Sequence, residues 1–191
     1  MNKFICILFK ICILSATTIS AQNLESGVFA APVLKYTRLV NQPALIIGVK
    51  GCWIISKQLV LGAGYYALTS DVKSNYFDTQ NNQDVLLNFN YGGLEFEYLL
   101  FNDPLFNLSL GMLTAGGGIE YYVPNRSKNY PYTNLLVWEP QINFEVKIFE
   151  WLHADTGLSY RIISDIYRLF NVTKNDMQGI NILLTFKIGE Y

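Results

Sequence analysis

The sequence predicts an all-β protein, an eight-stranded antiparallel up-and-down transmembrane barrel, and three observations carry that prediction. Eight runs alternate apolar and polar residues with period two. The connections between them run mostly long and short in turn, as in a membrane barrel whose termini lie on one side. After a short leader, no segment reaches the ~20 apolar residues that a spanning helix needs.

The leader decides which solvent the rest of the chain meets. Residues 1–21 hold Lys3, a greasy stretch from Phe4 to Leu14 broken by Lys10, and small residues ending Ile19-Ser20-Ala21. This matches a secretory signal peptide cut near Ala21–Gln22, leaving residues 22–191 as one barrel domain. Cys6 and Cys12 lie inside the leader, without the small residues expected before a lipid-bearing cysteine.

Composition narrows the class further. Two of the 14 basic residues fall in the leader, leaving 12 against 15 acidic ones, a formal charge of −3. That is no electrostatic footprint for nucleic acid. Only 15% of the chain is charged and 15% is aromatic, where soluble domains average roughly 25% charged. The outer surface is therefore expected to be apolar. Cys52 is the single cysteine after the leader, so it has no intrachain disulfide partner, and the lone His153 offers no metal cluster. No cofactor is expected. A membrane address without a spanning helix leaves the closed barrel, in which every backbone N–H and C=O finds a partner.

The expected strands are 27–37, 43–55, 59–69, 85–100, 105–122, 134–149, 151–164 and 179–191. The first contains Pro32, which lacks an N–H and is best tolerated at a bulge or strand end. A connection of about five residues around Asn41 leads to the second, where Leu45-Ile46-Ile47-Gly48-Val49 soon meets Lys50. Ser56-Lys57-Gln58 turns into the third, whose Gly62 and Gly64 mark kinks or close approach. A long loop, 70–84, precedes the fourth. There Leu87, Phe89 and Tyr91 are odd-numbered, whereas Leu94, Phe96, Tyr98 and Leu100 are even, which predicts a β-bulge at Gly92-Gly93.

Phe101-Asn102-Asp103-Pro104 turns into the fifth strand, with Gly116-Gly117-Gly118 as a further kink, and 123–133 forms the next long loop. The sixth strand shows the faces most clearly: Leu136, Trp138, Pro140, Ile142, Phe144, Val146 and Ile148 oppose Val137, Glu139, Gln141, Asn143, Glu145 and Lys147. After a tight turn near Glu150, the seventh sets Leu152, Ala154, Leu158, Tyr160 and Ile162 against His153, Asp155, Ser159 and Arg161. Loop 165–178 leads to the last, where Ile180, Ile182, Leu184, Phe186 and Ile188 oppose Asn181, Thr185 and Lys187. A Lys or Arg facing mid-membrane lipid costs about 2–4 kcal/mol, so the polar set is expected in the lumen. Trp53, Trp138 and Trp151, near strand ends, suit interfacial girdles.

Several stretches resemble a known family. Gly51-Cys52-Trp53-Ile54-Ile55, Tyr91-Gly92-Gly93-Leu94-Glu95-Phe96-Glu97-Tyr98, Glu139-Pro140 and Leu184-Thr185-Phe186-Lys187-Ile188-Gly189 look like small outer-membrane β-barrel proteins of diderm bacteria. The plan is similar to the OmpA/OmpX type of eight-stranded barrel. The resemblance implies an outer-membrane address in contact with its lipid. It also implies a C-terminal aromatic signal for the barrel-assembly machinery, carried here by Phe186 and Tyr191. Gly189 stands where a second aromatic is common, and Tyr191 shares parity with Lys187, so a bend at Gly189 would be needed to turn it outward.

Function is less legible. Eight strands enclose an interior that side chains can just fill. The predicted lumen network is Glu95, Glu97, Glu139, Glu145, Lys147, His153, Asp155, Arg161 and Lys187. Pairing the sixth and seventh strands about Glu150 sets Glu139 opposite Arg161, Lys147 opposite His153 and Glu145 opposite Asp155, with an expected Glu139–Arg161 ion pair. The plain reading is a polar plug; the sharper one is a narrow pore for ions or small solutes. A lipid-modifying enzyme would need a His and a nucleophile at the outer-leaflet end, but His153 falls near a short turn and no serine stands out, so no catalytic residue is assigned. A secreted lipocalin-like barrel would turn Trp138, Phe144 and Tyr160 inward around an apolar ligand. Loops 70–84, 123–133 and 165–178 mix Tyr76, Phe77, Tyr130, Tyr132, Tyr167 and Phe170 with charges, which suits surface contact. The expectation is a non-enzymatic barrel with a structural or surface-contact role.

Overall fold

The computed structural model describes residues 26–78, 83–103, 105–123, 132–164, 166 and 172–190. The leader, Tyr191, most of loop 123–133 and part of loop 165–178 (165 and 167–171) lie outside that set. Eight strands form the wall: β1 (Gly27–Leu39), β2 (Gln42–Ile55), β3 (Leu59–Leu68), β5 (Gln83–Asn102), β6 (Phe106–Tyr122), β7 (Tyr132–Phe149), β8 (Leu152–Ile163) and β9 (Gly179–Glu190). Each is antiparallel to its neighbours, β3 pairs with β5, and β1 pairs with β9, so the sheet closes on itself. Closure matters because the outside offers no polar groups to an open edge.

Four local expectations are corrected. The first connection is a two-residue turn, Val40-Asn41, with φ of 49° and 60°. Positive φ at both positions matches a hairpin turn whose twist suits the flanking strands. Loop 70–84 is largely strand: β4 (Lys73–Asp78) pairs with the start of β5, so a short hairpin extends above the wall. Tyr132, expected in a loop, opens β7. Within 165–178, a single helical turn, α1 (Lys174–Met177), starts at Thr173, whose N–H and hydroxyl donate to the Asp176 carboxylate at 2.9 and 2.8 Å. That turn sits on the first hairpin: Val40 N–H donates to the Asp176 carbonyl at 2.7 Å.

The expected bulge at Gly92-Gly93 is absent. The β3–β5 register runs unbroken from Leu59↔Tyr98 to Ala67↔Asn90, and the β5–β6 register from Leu86↔Tyr122 to Leu99↔Ser109. The shift falls instead at Leu99/Phe101. Odd residues therefore face inward along the strand, and Leu87, Phe89 and Tyr91 are lumen side chains, all buried. The change of polarity that looked like a change of face is a change of surroundings.

The prolines act as their missing N–H dictates. Pro32 keeps its place opposite Val49, while the β1–β9 ladder lapses between Ala30↔Ile188 and Val33↔Thr185. Pro140 keeps its place opposite Met112, while the β7–β8 ladder lapses between Trp138↔Ile162 and Gln141↔Ser159. Each proline sacrifices one of two ladders, with no insertion. No bend occurs at Gly189 either, because pairing continues through Phe29↔Gly189 and Val28↔Glu190.

The lumen divides in two. Toward the long loops it is apolar: Leu39, Val40, Ile46, Val72, Leu87, Phe89, Ile119, Tyr121, Val172 and Met177 belong to one buried cluster. Toward the short turns it is ionic. Glycines make room for the filling: a Cβ on Gly48 would stand 2.2 Å from the Tyr66 ring, and one on Gly111 2.6 Å from the Gln141 amide. Outside, Trp53 and Trp151 lie exposed near the short turns, and Trp138 is half-buried.

Candidate functional site: the ionic lumen

The alternation of the strands carries the charged side chains inward. Buried there are Lys35, Lys50, Arg161 and Lys187 with Glu95, Glu97, Glu139, Glu145, Asp155 and His153. Four cations against five carboxylates nearly balance, which suits charges held away from water.

Two clusters share them. In the lower one Lys50 Nζ lies 2.9 Å from Glu95 Oε2 and 2.6 Å from Glu97 Oε1. Lys187 Nζ lies 2.6 Å from Glu145, 3.0 Å from Asp155 and 3.6 Å from Glu97. The sequence places Glu145 opposite Asp155, and the register agrees; Lys187 stands between these two like charges. His153 Nδ1 is 2.8 Å from Glu145 Oε1. In the upper cluster Lys35 Nζ lies 2.5 Å from Glu139 Oε2, and Tyr91 donates to Glu139 Oε1 at 2.9 Å. Tyr66 donates to Glu95 and stacks on Tyr91 with ring centroids 5.2 Å apart, joining the two clusters.

The expected Glu139–Arg161 ion pair does not form. Lys35 and Tyr91 already serve both oxygens of Glu139. Arg161 instead donates to the Met177 carbonyl at 2.7 Å, Asn181 Oδ1 at 3.0 Å and Thr37 Oγ1 at 3.2 Å. It thereby ties α1 down over the mouth. Lys147 is the other exception: it lies at the rim, 2.7 Å from Glu150, and its hydrogen bond holds that exposed carboxyl below the usual carboxylate range.

Sequence reasoning missed Lys35, Lys50, Tyr66 and Tyr91. On β1 and β2 the inward positions beside the lysines are Val33 and Thr37, and Gly48 and Cys52, so only a weak contrast of polarity marks the lumen face. A signal did exist: Lys35 sits between Leu34 and Tyr36, both exposed. A lysine flanked by lipid-facing residues has only the inside left to it.

Below the ions, a cavity of about 320 Å³ opens at the short-turn end. Its lining is apolar at Phe29, Ile54, Val60 and Leu99 and polar at Lys57, Asp103, Asn107, Glu145, Lys147, His153 and Lys187. His153 thus sits at the end remote from the long loops, bonded to a carboxylate. Among the described residues no group of three or more His, Cys, Asp and Glu is arranged to hold a metal ion. The outer face carries Phe144 and Tyr160, both exposed, so the aromatics that a lipocalin-like barrel would turn inward point away from the lumen. Phe186 is also outward and 38% exposed.

No protein-family model matches the chain, and no curated protein matches its sequence. Solved structures do match. Neisserial surface protein A (NspA) superposes with a TM-score of 0.62 at 10% identity, over 85% of this chain and 96% of that one. Ail of Yersinia pestis, in complex with the heparin analogue sucrose octasulfate, gives 0.49 at 6% identity over 86% and 96%. The outer membrane protease OmpT of Escherichia coli gives 0.36 at 12% identity over 91% and 97%. At these identities only the architecture carries over, and the last two superpose too loosely to add to it. The chain has the fold of the small outer-membrane barrels: eight antiparallel strands, closed, with a filled interior.

Proposed function

We propose that residues 1–21 direct export and are removed, and that residues 22–191 span the outer membrane as a non-enzymatic barrel with a structural or surface-contact role. One observation carries this reading: across the middle of the wall, Leu94, Phe96, Phe144, Ile182 and Leu184 face outward while Glu95, Glu97, Glu145 and Lys187 face inward. In water that arrangement would expose grease and bury charge; in lipid both choices are favourable. The lumen charges satisfy one another as a structural plug. Contacts then fall to 70–84, 123–133 and 165–178, and Tyr191 with Phe186 serves assembly. Membrane fractionation with an unboiled-versus-boiled gel shift tests the reading. A heat-modifiable band in the outer-membrane fraction is expected, and a freely soluble product would overturn it.

A narrow pore is the second reading, favoured by the cavity at the short-turn end. Planar-bilayer recording separates the two. The plug predicts no discrete conductance steps, whereas reproducible steps would favour the pore.

A further inference from the structure

The cavity at the short-turn end is built by the whole wall, and its two halves differ. Phe29, Ile54, Val60 and Leu99 come from β1, β2, β3 and β5, four strands that follow one another around the barrel. They form an apolar arc: the first three belong to one buried cluster, and Leu99 packs against it. Asn107, Glu145, His153 and Lys187 come from β6, β7, β8 and β9, which complete the circle. At about 320 Å³ the space is roughly twice the ~150 Å³ that takes up benzene. It lies at the low end of small-molecule pockets.

The floor of this cavity carries uncompensated charge. The lower cluster sets Lys50 and Lys187 against Glu95, Glu97, Glu145 and Asp155, two ammoniums for four carboxylates. A protonated His153 lowers that excess to one without cancelling it. The other buried cations, Lys35 and Arg161, stand with Glu139 nearer the long loops. At the rim the signs balance, Lys57 and Lys147 against Asp103 and Glu150. One acceptor on the polar arc is also unused. Asn107 Nδ2 donates to Glu145 Oε1 at 3.1 Å, while Asn107 Oδ1 is buried without a hydrogen-bond partner. Phe29 already faces an ammonium: Lys187 Nζ lies 5.2 Å from its ring centroid.

We infer that this cavity binds a small organic cation, a primary ammonium carried on an apolar stem the size of a phenyl ring. An ammonium has three donors and no acceptor, which suits Asn107 Oδ1 and the neighbouring Glu145. The excess of buried negative charge draws it inward, because a cleft of one sign with low-dielectric walls focuses the field. The stem lies on Phe29, Ile54, Val60 and Leu99, exchanging wetted apolar surface for contact. A carboxylate of the same shape meets the floor as a like charge, and a bare metal ion leaves the apolar arc unused. Binding of this kind needs only the closed barrel, with or without lipid around it.

Phenethylammonium and phenylacetate, similar in size and opposite in charge, are titrated by calorimetry into the barrel in phosphatidylcholine nanodiscs, with empty discs subtracted. The cation is expected to saturate a single site, and the anion to bind on the order of a hundredfold more weakly. Val60→Phe, which fills the apolar arc, is expected to abolish the saturable heat, and Asn107→Leu to weaken binding about tenfold. Equal affinity for the two probes, or no saturable binding of the cation, would overturn the proposal. Undiminished binding by Val60→Phe would put the amine elsewhere and overturn the site. The two-probe comparison uses the unaltered chain, so it decides even where a variant does not fold. A barrel that stays out of the discs overturns the membrane reading alone, and the same titration in free solution then decides the pocket.

Discussion

Strand β5 carries two opposite surfaces on one unbroken register. Near the short turns Leu94 and Phe96 face out while Glu95 and Glu97 face in. Toward the long loops Asn88 and Asn90 face out while Leu87 and Phe89 face in. Nothing in the backbone separates the halves, since the pairing with β6 continues from Leu86 to Leu99 without a shift. The first half is built for lipid and the second for water. Along β5 the collar is thus apolar inside and polar outside, and it stands on a membrane wall with the polarities reversed. The β4–β5 hairpin, the Val40-Asn41 turn and α1 close the top of that collar.

The contrast can be broken at several points, in descending order of expected effect. Lys187→Met removes the one ammonium shared by Glu97, Glu145 and Asp155. Breaking a buried pair costs about 3–5 kcal/mol; Glu97 keeps Lys50 and Glu145 keeps His153, but Asp155 loses its ammonium, and the heat-modifiable band is expected to vanish or shift far down a urea titration. A normal midpoint would mean that the lower cluster is hydrated and the plug is loose.

Polar substitution on the outer face comes next and separates the halves directly. Phe96→Lys is expected to cost about 2–4 kcal/mol in bilayer refolding, as a charge facing lipid does. Asn90→Lys, six residues earlier on the same face of the same strand, should leave the midpoint within about 0.5 kcal/mol, as a surface substitution in water does. Equal costs at the two sites would erase the proposed boundary between lipid and water.

Inside the collar, Leu87→Ala should cost about 2–4 kcal/mol, since a leucine there lies in a packed core rather than at a lipid surface. Arg161→Met is expected to act more locally, by freeing the Met177 carbonyl. Hydrogen exchange at the Val40 amide, which is bonded to the Asp176 carbonyl, should accelerate while the membrane half stays protected; unchanged exchange would show that α1 is held without Arg161. Smallest of all, Glu150→Gln breaks an exposed contact with Lys147. Exposed pairs contribute little, so no shift is expected at neutral pH, and any large loss would reveal a role for the rim.

Much of this was legible in the chain. The period-two pattern of 134–149 and 151–164 sufficed to put Glu139, Glu145, His153, Asp155 and Arg161 on one face, because there the outward and inward residues differ in polarity. The same rule failed on β5. It equates apolar with outward, and that holds only where the outside is lipid. Lys35 and Lys50 escaped notice for the complementary reason, that most of their inward neighbours (Val33, Gly48 and Cys52) carry no polar side chain to mark the face, Thr37 excepted. The missing Glu139–Arg161 pair shows a further limit. Cross-strand register fixes which side chains are adjacent on the wall, but a barrel about as wide as its side chains are long lets Lys35, from across the lumen, compete for the same carboxylate.

By itself, then, the order of residues determined the strands, their number in the wall and the filling of the interior with charge. Those properties follow from local alternation and from the cost of unpaired backbone in lipid, both of which are written along a single strand. Only closure decided which cation meets which carboxylate, that Gly92-Gly93 carries no bulge, and that Tyr132 lies over Gly118. Each of these joins positions on different strands, and their separation is set by how the sheet curls rather than by distance along the chain.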